Sequence, residues 1–424
     1  MIPVFEESEG FAQRLDERDP LRRFRDRFEI PAGADGEPLI YFNGNSLGLM
    51  PKAARGAVEQ ELDDWSRLAV DAHFRAKTPW FSYHEVFRET GARLVGALPG
   101  EVVMMNGLTV NLHLMMETFY RPDGVRWKIL VEDGAFPSDA YAVDSRVRGR
   151  GLDPAQALVR VAPRPGEAWL RTDDVVAAIE REGAALALVL LPGVQYYTGQ
   201  LLDVPAITAA AHAAGAVAGW DLAHAAGNVP LSLHDWDVDF AVWCSYKYLN
   251  AGPGAVAGCF VHERHGANPA LHRLAGWWGN DPGTRFRMDV ERTFTPRAGA
   301  DGWQISNPPI LAMAPLKESL AIFDEAGMDA LRRKSVVLTG YLEWLLRRAG
   351  QPRFEVITPA DSDARGCQLS LRALDRSGDA LRSTEGGEVI VDRRPPDVLR
   401  VAPVPLYNTF HEVWRAARWI QRAP

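Results

Sequence analysis

The sequence, 424 residues long, predicts an α/β protein with a mainly parallel sheet and a smaller α+β unit behind it, on three observations. Short apolar runs alternate with helical stretches from about residue 50 to about residue 310, the rhythm of strand–crossover–strand units whose sheet is covered on both faces. Beyond Ile310 that rhythm gives way to long helical periodicity and then to period-2 alternation. Two chemically distinctive residues, Asp221 and Lys247, each follow an apolar run, which is where open α/β sheets gather ligands.

Residues 1–50 read as an N-terminal arm. Its charged helical part reaches to about residue 40, punctuated by Pro20 and Pro31 and turning at Gly33-Ala34-Asp35-Gly36. The run Arg22-Arg23-Phe24-Arg25-Asp26-Arg27 is expected to be a charged helix face carrying ion pairs. Residues 51–310 form the large domain, with strands expected at Ile129–Glu132, Leu158–Val161, Leu186–Leu191, Val217–Trp220, Phe240–Trp243 and Gly258–Val261. Thr172 is expected to cap a helix that carries Asp173 and Asp174 in its first turn, and Pro205 lies near the start of another. Residues 311–424 form the second domain. Helices are expected over Lys317–Ala326 and Leu331–Ala349, strands at Cys367–Arg372 and Val389–Val391, and a last helix with Phe410, Val413, Trp414, Ala417 and Ile420 on one face.

Composition narrows the function classes. Lys plus Arg number 47 against 55 Asp plus Glu, a formal charge of -8, so there is no basic field to hold nucleic acid. Cys244, Cys259 and Cys367 are far apart with no Cys-x-x-Cys, which points away from a disulfide framework or a zinc site and toward a reducing cytoplasm. Neither a signal-peptide pattern nor an apolar run of about 18 residues is found, so secretion and membrane insertion are not expected. His262-Glu263-Arg264-His265 lacks metalloprotease spacing and reads as a surface turn; no metal is expected.

The chemistry concentrates in Ser245-Tyr246-Lys247-Tyr248-Leu249 and Asp221-Leu222-Ala223-His224. Alone, Lys247 fits a solvated loop lysine and Asp221 a helix cap. Together they suggest pyridoxal phosphate (PLP), whose aldehyde forms a Schiff base with a lysine and whose ring nitrogen needs a carboxylate to stay protonated. Gly107-Leu108-Thr109 opens a helix, and free N–H groups at a helix start suit a phosphate; a plain threonine cap is the alternative. Phe136-Pro137-Ser138-Asp139 follows a strand and offers a ring to cover the pyridine, a hydroxyl and an acid; core packing is the alternative for Phe136. His224, beside Asp221 on the chain, reads as a residue tuning that site.

These and further motifs fall in order along nearly the whole chain. Tyr41-Phe42-Asn43-Gly44-Asn45-Ser46-Leu47-Gly48-Leu49, Leu108-Thr109-Val110-Asn111-Leu112, Phe136-Pro137-Ser138-Asp139, Tyr197-Thr198-Gly199-Gln200, Asp221-Leu222-Ala223-His224, Trp243-Cys244-Ser245-Tyr246-Lys247-Tyr248-Leu249-Asn250, Ser306-Asn307-Pro308-Pro309 and Arg400-Val401-Ala402-Pro403-Val404-Pro405-Leu406-Tyr407-Asn408 together resemble the kynureninase family. One departure is Pro192, where animal members carry a serine near the cofactor.

The resemblance implies the fold type I (aspartate aminotransferase-like) architecture of PLP enzymes and a homodimer with shared active sites. It also implies hydrolysis of L-kynurenine, or its 3-hydroxy derivative, to anthranilate or 3-hydroxyanthranilate and L-alanine. The pathway served, tryptophan catabolism or nicotinamide cofactor synthesis, is left open. By the same resemblance Lys247 carries the cofactor, Asp221 faces the ring nitrogen and Phe136 stacks on the ring; Tyr246, next to Lys247 on the chain, is the candidate for relaying protons between the phosphate region and the substrate carbonyl. Leu108, Thr109, Pro137, Ser138, Asp139, His224, Tyr246, Trp277 and Asn307 match cofactor-contacting positions. Arg400 matches the substrate-carboxylate clamp, and Asn45, Ser46, His73, Ser306 and Asn307 match substrate-facing positions. His73 and Asn307 could pair with a 3-hydroxyl group; the alternative is that His73 packs beside Trp80 while Asn307 serves the phosphate.

Rival readings share the Lys–Asp pair. A cysteine desulfurase or selenocysteine lyase needs an accessible thiolate, whereas Cys367 alternates with Leu369 and Leu371 and Cys244 ends an apolar run, so both are expected to be buried. An aminotransferase would use an added 2-oxo acid. A non-catalytic PLP-binding regulator usually carries an appended DNA-binding domain, which the short charged arm before Tyr41 is not expected to hold.

Overall fold

The computed structural model describes residues 3–348, 353–375 and 387–422. Among the described residues thirteen strands run in chain order: β1 Ile40–Tyr41, β2 Val102–Met105, β3 Lys128–Glu132, β4 Leu158–Val161, β5 Leu186–Pro192, β6 Val217–Asp221, β7 Phe240–Trp243, β8 Ala257–Val261, β9 Phe354–Val356, β10 Leu369–Ala373, β11 Val389–Ile390, β12 Asp392–Arg394 and β13 Val398–Val401. A seven-stranded sheet has the order β2-β8-β7-β6-β5-β3-β4. From β4 to β7 its pairs are parallel, and β8 runs antiparallel to both neighbours. The central strands are continuous apolar runs because helices cover both faces: Leu188, Phe240, Ala241, Val242 and Phe260 have no exposed surface.

The expected strands of the large sheet are present, and one more was not expected. β2 reads Val-Val-Met-Met; it is buried throughout and closes the sheet edge against β8. The helix at Thr172–Glu182 forms, but Thr172 is its first helical residue, Arg171 stands at the cap, and no side chain caps it. Two acids in the first turn complement the exposed N–H groups instead. At Val204–Ala213 the cap is Asp203, which accepts from the Ala206 N–H at 3.1 Å.

Near the chain's end a four-stranded antiparallel sheet has the order β12-β13-β10-β9. Its helices differ from expectation at their ends. The first begins at Ile310 and runs through Pro315 to Ala326, and the next covers Met328–Arg347, with Ala349 outside the described residues. Val391 lies between β11 and β12 rather than in a strand. The N-terminal segment packs on this unit: β1 pairs in parallel with β11, and Phe11, Ile40 and Phe42 share a core with Leu338, Leu369, Val413 and Ile420. The arginine-rich run is a 3-10 helix whose Arg23 and Arg27 pair with Glu325 and whose Arg25 pairs with Glu412.

Between the two sheets runs the chain from Asn43 to Leu49. The Gly48 N–H donates to the Tyr246 carbonyl at 2.8 Å, and a Cβ at Gly48 would strike Asn250 and the Lys247 carbonyl. Glycine here lets the N-terminal motif lie directly against the lysine loop.

Candidate active site

Strand ends and helix starts converge on one cavity. β3 ends at Glu132, β6 ends at Asp221, and β7 ends at Trp243 and leads through Ser245 to Lys247. The helices Leu108–Phe119 and Pro137–Gly149 begin at the same place, the first capped by Gly107 and the second entered through Pro137. Their first N–H groups have no partner within the helix, which makes this end of the sheet favourable for an anion. Thr109 Oγ1 and Ser138 Oγ stand 3.1 Å apart across the two helix starts.

Nine of the expected residues line this cavity: Leu108, Thr109, Phe136, Ser138, Asp139, Asp221, His224, Tyr246 and Lys247. Pro137 does not; it starts the helix that presents Ser138 and Asp139. Lys247 Nζ donates to His224 Nε2 at 3.1 Å and lies 5.6 Å from the centroid of the Phe136 ring. With Nζ donating, Nε2 accepts, so the proton of the neutral His224 ring sits on Nδ1. Burial, and then the charges of Lys247, Arg400 and Arg394, hold its pKa well below the usual value. That buried Nδ1 has no hydrogen-bond partner.

Asp221 Oδ1 accepts from the Ala223 N–H at 2.8 Å, which fixes its orientation. Asp139 is pushed up to about 10, first by burial and then by the adjacent Asp221, so it keeps its proton through the neutral range. Its Oδ1 is also buried without a partner. Burial raises the Tyr246 phenol, which stays protonated. Glu132 was not anticipated as a site residue. It lines the cavity, is pushed up to about 7 mainly by burial, and accepts from Gln195 Nε2 at 3.4 Å. Its only sequence signal is an acid ending an apolar strand. Pro192, the departure from the family pattern, lines the cavity too.

Arg400 lies in β13 and is 1% exposed. Its Nη1 donates to the Tyr196 carbonyl at 2.8 Å and its Nη2 pairs with Asp392. Tyr196 itself lines the cavity and packs edge-on against Phe136, 5.2 Å between centroids, so the arginine is tied to the cavity wall. Asn45 is buried and donates to Gln368 Oε1 at 2.8 Å, while Ser46 is half-buried and does not line the cavity.

The remaining candidates are elsewhere. His73 and Asn307 share a second cleft with Glu61, Trp65, Trp80 and Trp278, which has no residue in common with the first. His73 Nδ1 lies 3.0 Å from the Val70 carbonyl, an acceptor, so Nδ1 carries the proton and Nε2 is left to accept. Its ring meets Trp80 edge-on at 5.6 Å. Ser306 Oγ donates to Asn307 Oδ1 at 3.1 Å. Trp277 lines neither cavity and packs on Trp278, 4.8 Å between centroids.

The three cysteines are buried, Cys244 and Cys367 as expected. His262 is not in a surface turn: it is buried and gathers with Glu101 and His234. The two imidazoles stack at 4.9 Å with a 17° interplanar angle, nearly parallel planes that give one ion poor in-plane access to both rings. Glu101 already accepts the N–H groups of Leu98 and Glu263, each at 2.8 Å. The group is a carboxylate cap, and among the described residues no other such cluster occurs.

A family model described as the kynureninase C-terminal domain matches residues 331–420. Kynureninase of Koribacter versatilis is 55% identical over 413 residues, covering 97% of each chain. Kynureninase of Salinispora tropica is 56% identical over 419 residues, covering 97% of this chain and 96% of its own. Kynureninase of Myxococcus xanthus is 54% identical over 418 residues, covering 99% and 98%. Among solved structures, the cysteine desulfurase CsdA from Escherichia coli superimposes with a TM-score of 0.75 at 18% identity over 99% of both chains. A C-DES variant with glycine covalently linked to its PLP cofactor gives 0.75 at 16% identity, covering 91% of this chain and 97% of its own. At such identities these two structures speak for a shared fold alone.

Proposed function

The chain belongs to the kynureninase family, and from that premise we infer how its own residues carry out the PLP-dependent hydrolysis of L-kynurenine to anthranilate and L-alanine. The enzyme is thus a hydrolase acting on a carbon–carbon bond. The observation that carries the assignment of residues is the single cavity holding Lys247, His224, Asp221, Asp139 and Phe136 at the carboxyl ends of the parallel strands.

The cavity fits the cofactor. The unpartnered Nδ1 of His224 and Oδ1 of Asp139 are buried polar atoms awaiting a ligand, and two helix starts with Thr109 and Ser138 suit a phosphate. Lys247 would attach the aldehyde, Asp221 would hold the ring nitrogen, and Phe136 would cover a ring face. When bound, PLP supplies the electron sink that makes a proton on the substrate Cα acidic. Lys247 Nζ then takes that Cα proton. Asp139, protonated, lies against Asp221 and keeps that carboxylate directed at the nitrogen. Tyr246, protonated and lining the same cavity, delivers a proton to the aryl ketone oxygen as water adds to the ketone carbon, and recovers one as the Cβ–Cγ bond breaks to release the anthranilate carboxyl. Arg400 holds the α-carboxylate.

The same reading includes a homodimer. Trp65, Phe74, Phe286 and Val290 are each more than half exposed; Trp65 lines the cleft of His73 and Asn307, and Phe74 and Phe286 pack together at 6.2 Å. Apolar surface of this kind on one face suits a second copy. Trp277 and Asn307 of that copy would complete the cavity around Lys247. The cytoplasmic setting and the division at about residues 50 and 310 belong to this reading as well. Three buried unpaired thiols support the former; for the boundary near 310, one core gathers Phe11, Ile40, Leu338, Leu369 and Val413 with no residue from 51–310, while another joins Leu21, Trp243 and Met313 across all three segments. Among the described residues no helix is long and apolar enough to cross a membrane.

Product identification tests the function. Kynurenine and 3-hydroxykynurenine should each yield alanine and the corresponding anthranilate. Turnover that depends on an added 2-oxo acid, or sulfur release from cysteine without alanine from kynurenine, would overturn it.

A further inference from the structure

Arg400 is held more tightly than a carboxylate clamp requires. Asp392 stands directly opposite it in the antiparallel β12–β13 register and pairs with Nη2, while Arg394 Nε donates to the same Asp392 oxygen at 2.9 Å. Nη1 donates to the Tyr196 carbonyl at 2.8 Å. That carbonyl also accepts from Gln368 Nε2 at 3.1 Å, and Gln368 Oε1 in turn holds Asn45 at 2.8 Å. A guanidinium is planar, so fixing two of its nitrogens fixes the direction of the third. The third, Nε, is buried without a partner. A charged donor left unpaired in a buried place is costly and calls for a ligand.

We propose that Asp392 is a positioning residue that locks Arg400 so that Nε–H and the adjoining Nη2 edge face the α-carboxylate of the substrate. Cross-strand placement holds the pair together, because the register of β12 on β13 sets Asp392 directly opposite Arg400 and Arg394 Nε holds the same carboxylate oxygen. The Arg394–Asp392–Arg400 row carries one net positive charge, so the carboxylate meets attraction although an anion already touches the clamp. The charges of Arg400 and Arg394 also reach His224 beside Lys247, which sets the row next to the reacting end of the cavity. This inference rests on Arg400 being the carboxylate clamp.

The test uses holoenzyme carrying Asp392→Ala, Asp392→Asn, Arg400→Ala and the Asp392→Ala/Arg400→Ala pair, each checked for folding by thermal unfolding. Asp392→Ala should raise KM for kynurenine about tenfold, the loss of one well-oriented charged contact, with kcat within about threefold. Calorimetric binding of L-alanine should weaken by the same factor. Inhibition by kynuramine, which lacks the carboxylate, should not change. In the Arg400→Ala background Asp392→Ala should add nothing. Asp392→Asn keeps an acceptor oxygen and should fall between wild type and Asp392→Ala, which decides the matter if the alanine variant does not fold. Should Arg400→Ala leave KM unchanged, the clamp reading itself fails and this inference with it. A raised KM in Arg400→Ala with an unchanged KM in the Asp392 variants overturns the positioning role alone. A lower KM in both Asp392 variants would show a competing carboxylate instead, and a matching loss of kynuramine binding would show a merely structural role.

Discussion

Replacing Asp139 with Asn should make the cofactor-free protein more stable, increasingly so as pH rises. Asp139 has its pKa raised from 3.8 to about 10 by burial and by Asp221, so in the folded state it keeps its proton at neutral pH. In the unfolded chain it loses that proton above about pH 4. The sign follows: the folded state binds one more proton than the unfolded state, so stability falls as pH rises between the two pKa values. One proton of difference is worth about 1.4 kcal/mol per pH unit, and so about 4 kcal/mol between about pH 5 and about pH 8. Asparagine matches the protonated acid in shape and supplies an N–H donor in place of its O–H, yet has nothing to titrate. Urea titrations of cofactor-free wild type and Asp139→Asn at several pH values provide the assay. The difference in unfolding free energy should be small at about pH 4 and widen steadily above it. Parallel pH profiles would refute the claim that Asp139 stays protonated.

Three further outcomes follow from the same structure. Asp239 accepts from His212, His265, Arg264 and the Ala218 N–H, which holds its carboxyl well below the usual range; Asp239→Ala strands these donors and should cost about 3 kcal/mol or more, read as a lowered melting temperature. Mixing the inactive variants Lys247→Ala and Asn307→Ala should restore activity through hybrid dimers, and no recovery after subunit exchange would deny that sites are shared. His73→Phe removes the Nε2 acceptor and should lower kcat/KM for 3-hydroxykynurenine relative to kynurenine by about 5-fold to 100-fold; an unchanged ratio would assign His73 to packing on Trp80.

The parts of this structure that were legible in the sequence are those where local pattern and local structure coincide. Runs such as Leu186–Leu191 are long, apolar and bounded, so strands β3 to β8 could be read directly, and the residues just beyond their ends lead to the cavity. β2 escaped because Val-Val-Met-Met is short, half of it lacks strand preference, and its burial comes from pairing with β8, more than 150 residues away. Pro315 hid the first turns of the helix Ile310–Ala326, since proline normally marks a boundary and here tertiary packing overrides it. Thr172 has the side chain of a cap but stands one residue inside the helix.

The site divides in the same way. Lys247, Asp221 and His224 are close in sequence and follow neighbouring strands, so their meeting could be inferred. The separation of His73 and Asn307 from Lys247 could not, because it depends on how loops with no periodic pattern cross the surface. Long-range polar partners were equally silent: the pairings of Gln368 with Asn45 and of Asp392 with Arg400 arise from strand register and chain crossing, not from any motif.

The most direct measurement of the central claim is the location of the cofactor. Borohydride treatment of the yellow holoenzyme makes the bond between cofactor and lysine permanent, and peptide mapping by mass spectrometry then finds the modified residue. The pyridoxyl group is expected on Lys247 alone, with Lys247→Ala losing the visible absorbance and losing turnover by about a thousandfold or more. A pyridoxyl group on any other lysine, or an active and yellow Lys247→Ala, would contradict it.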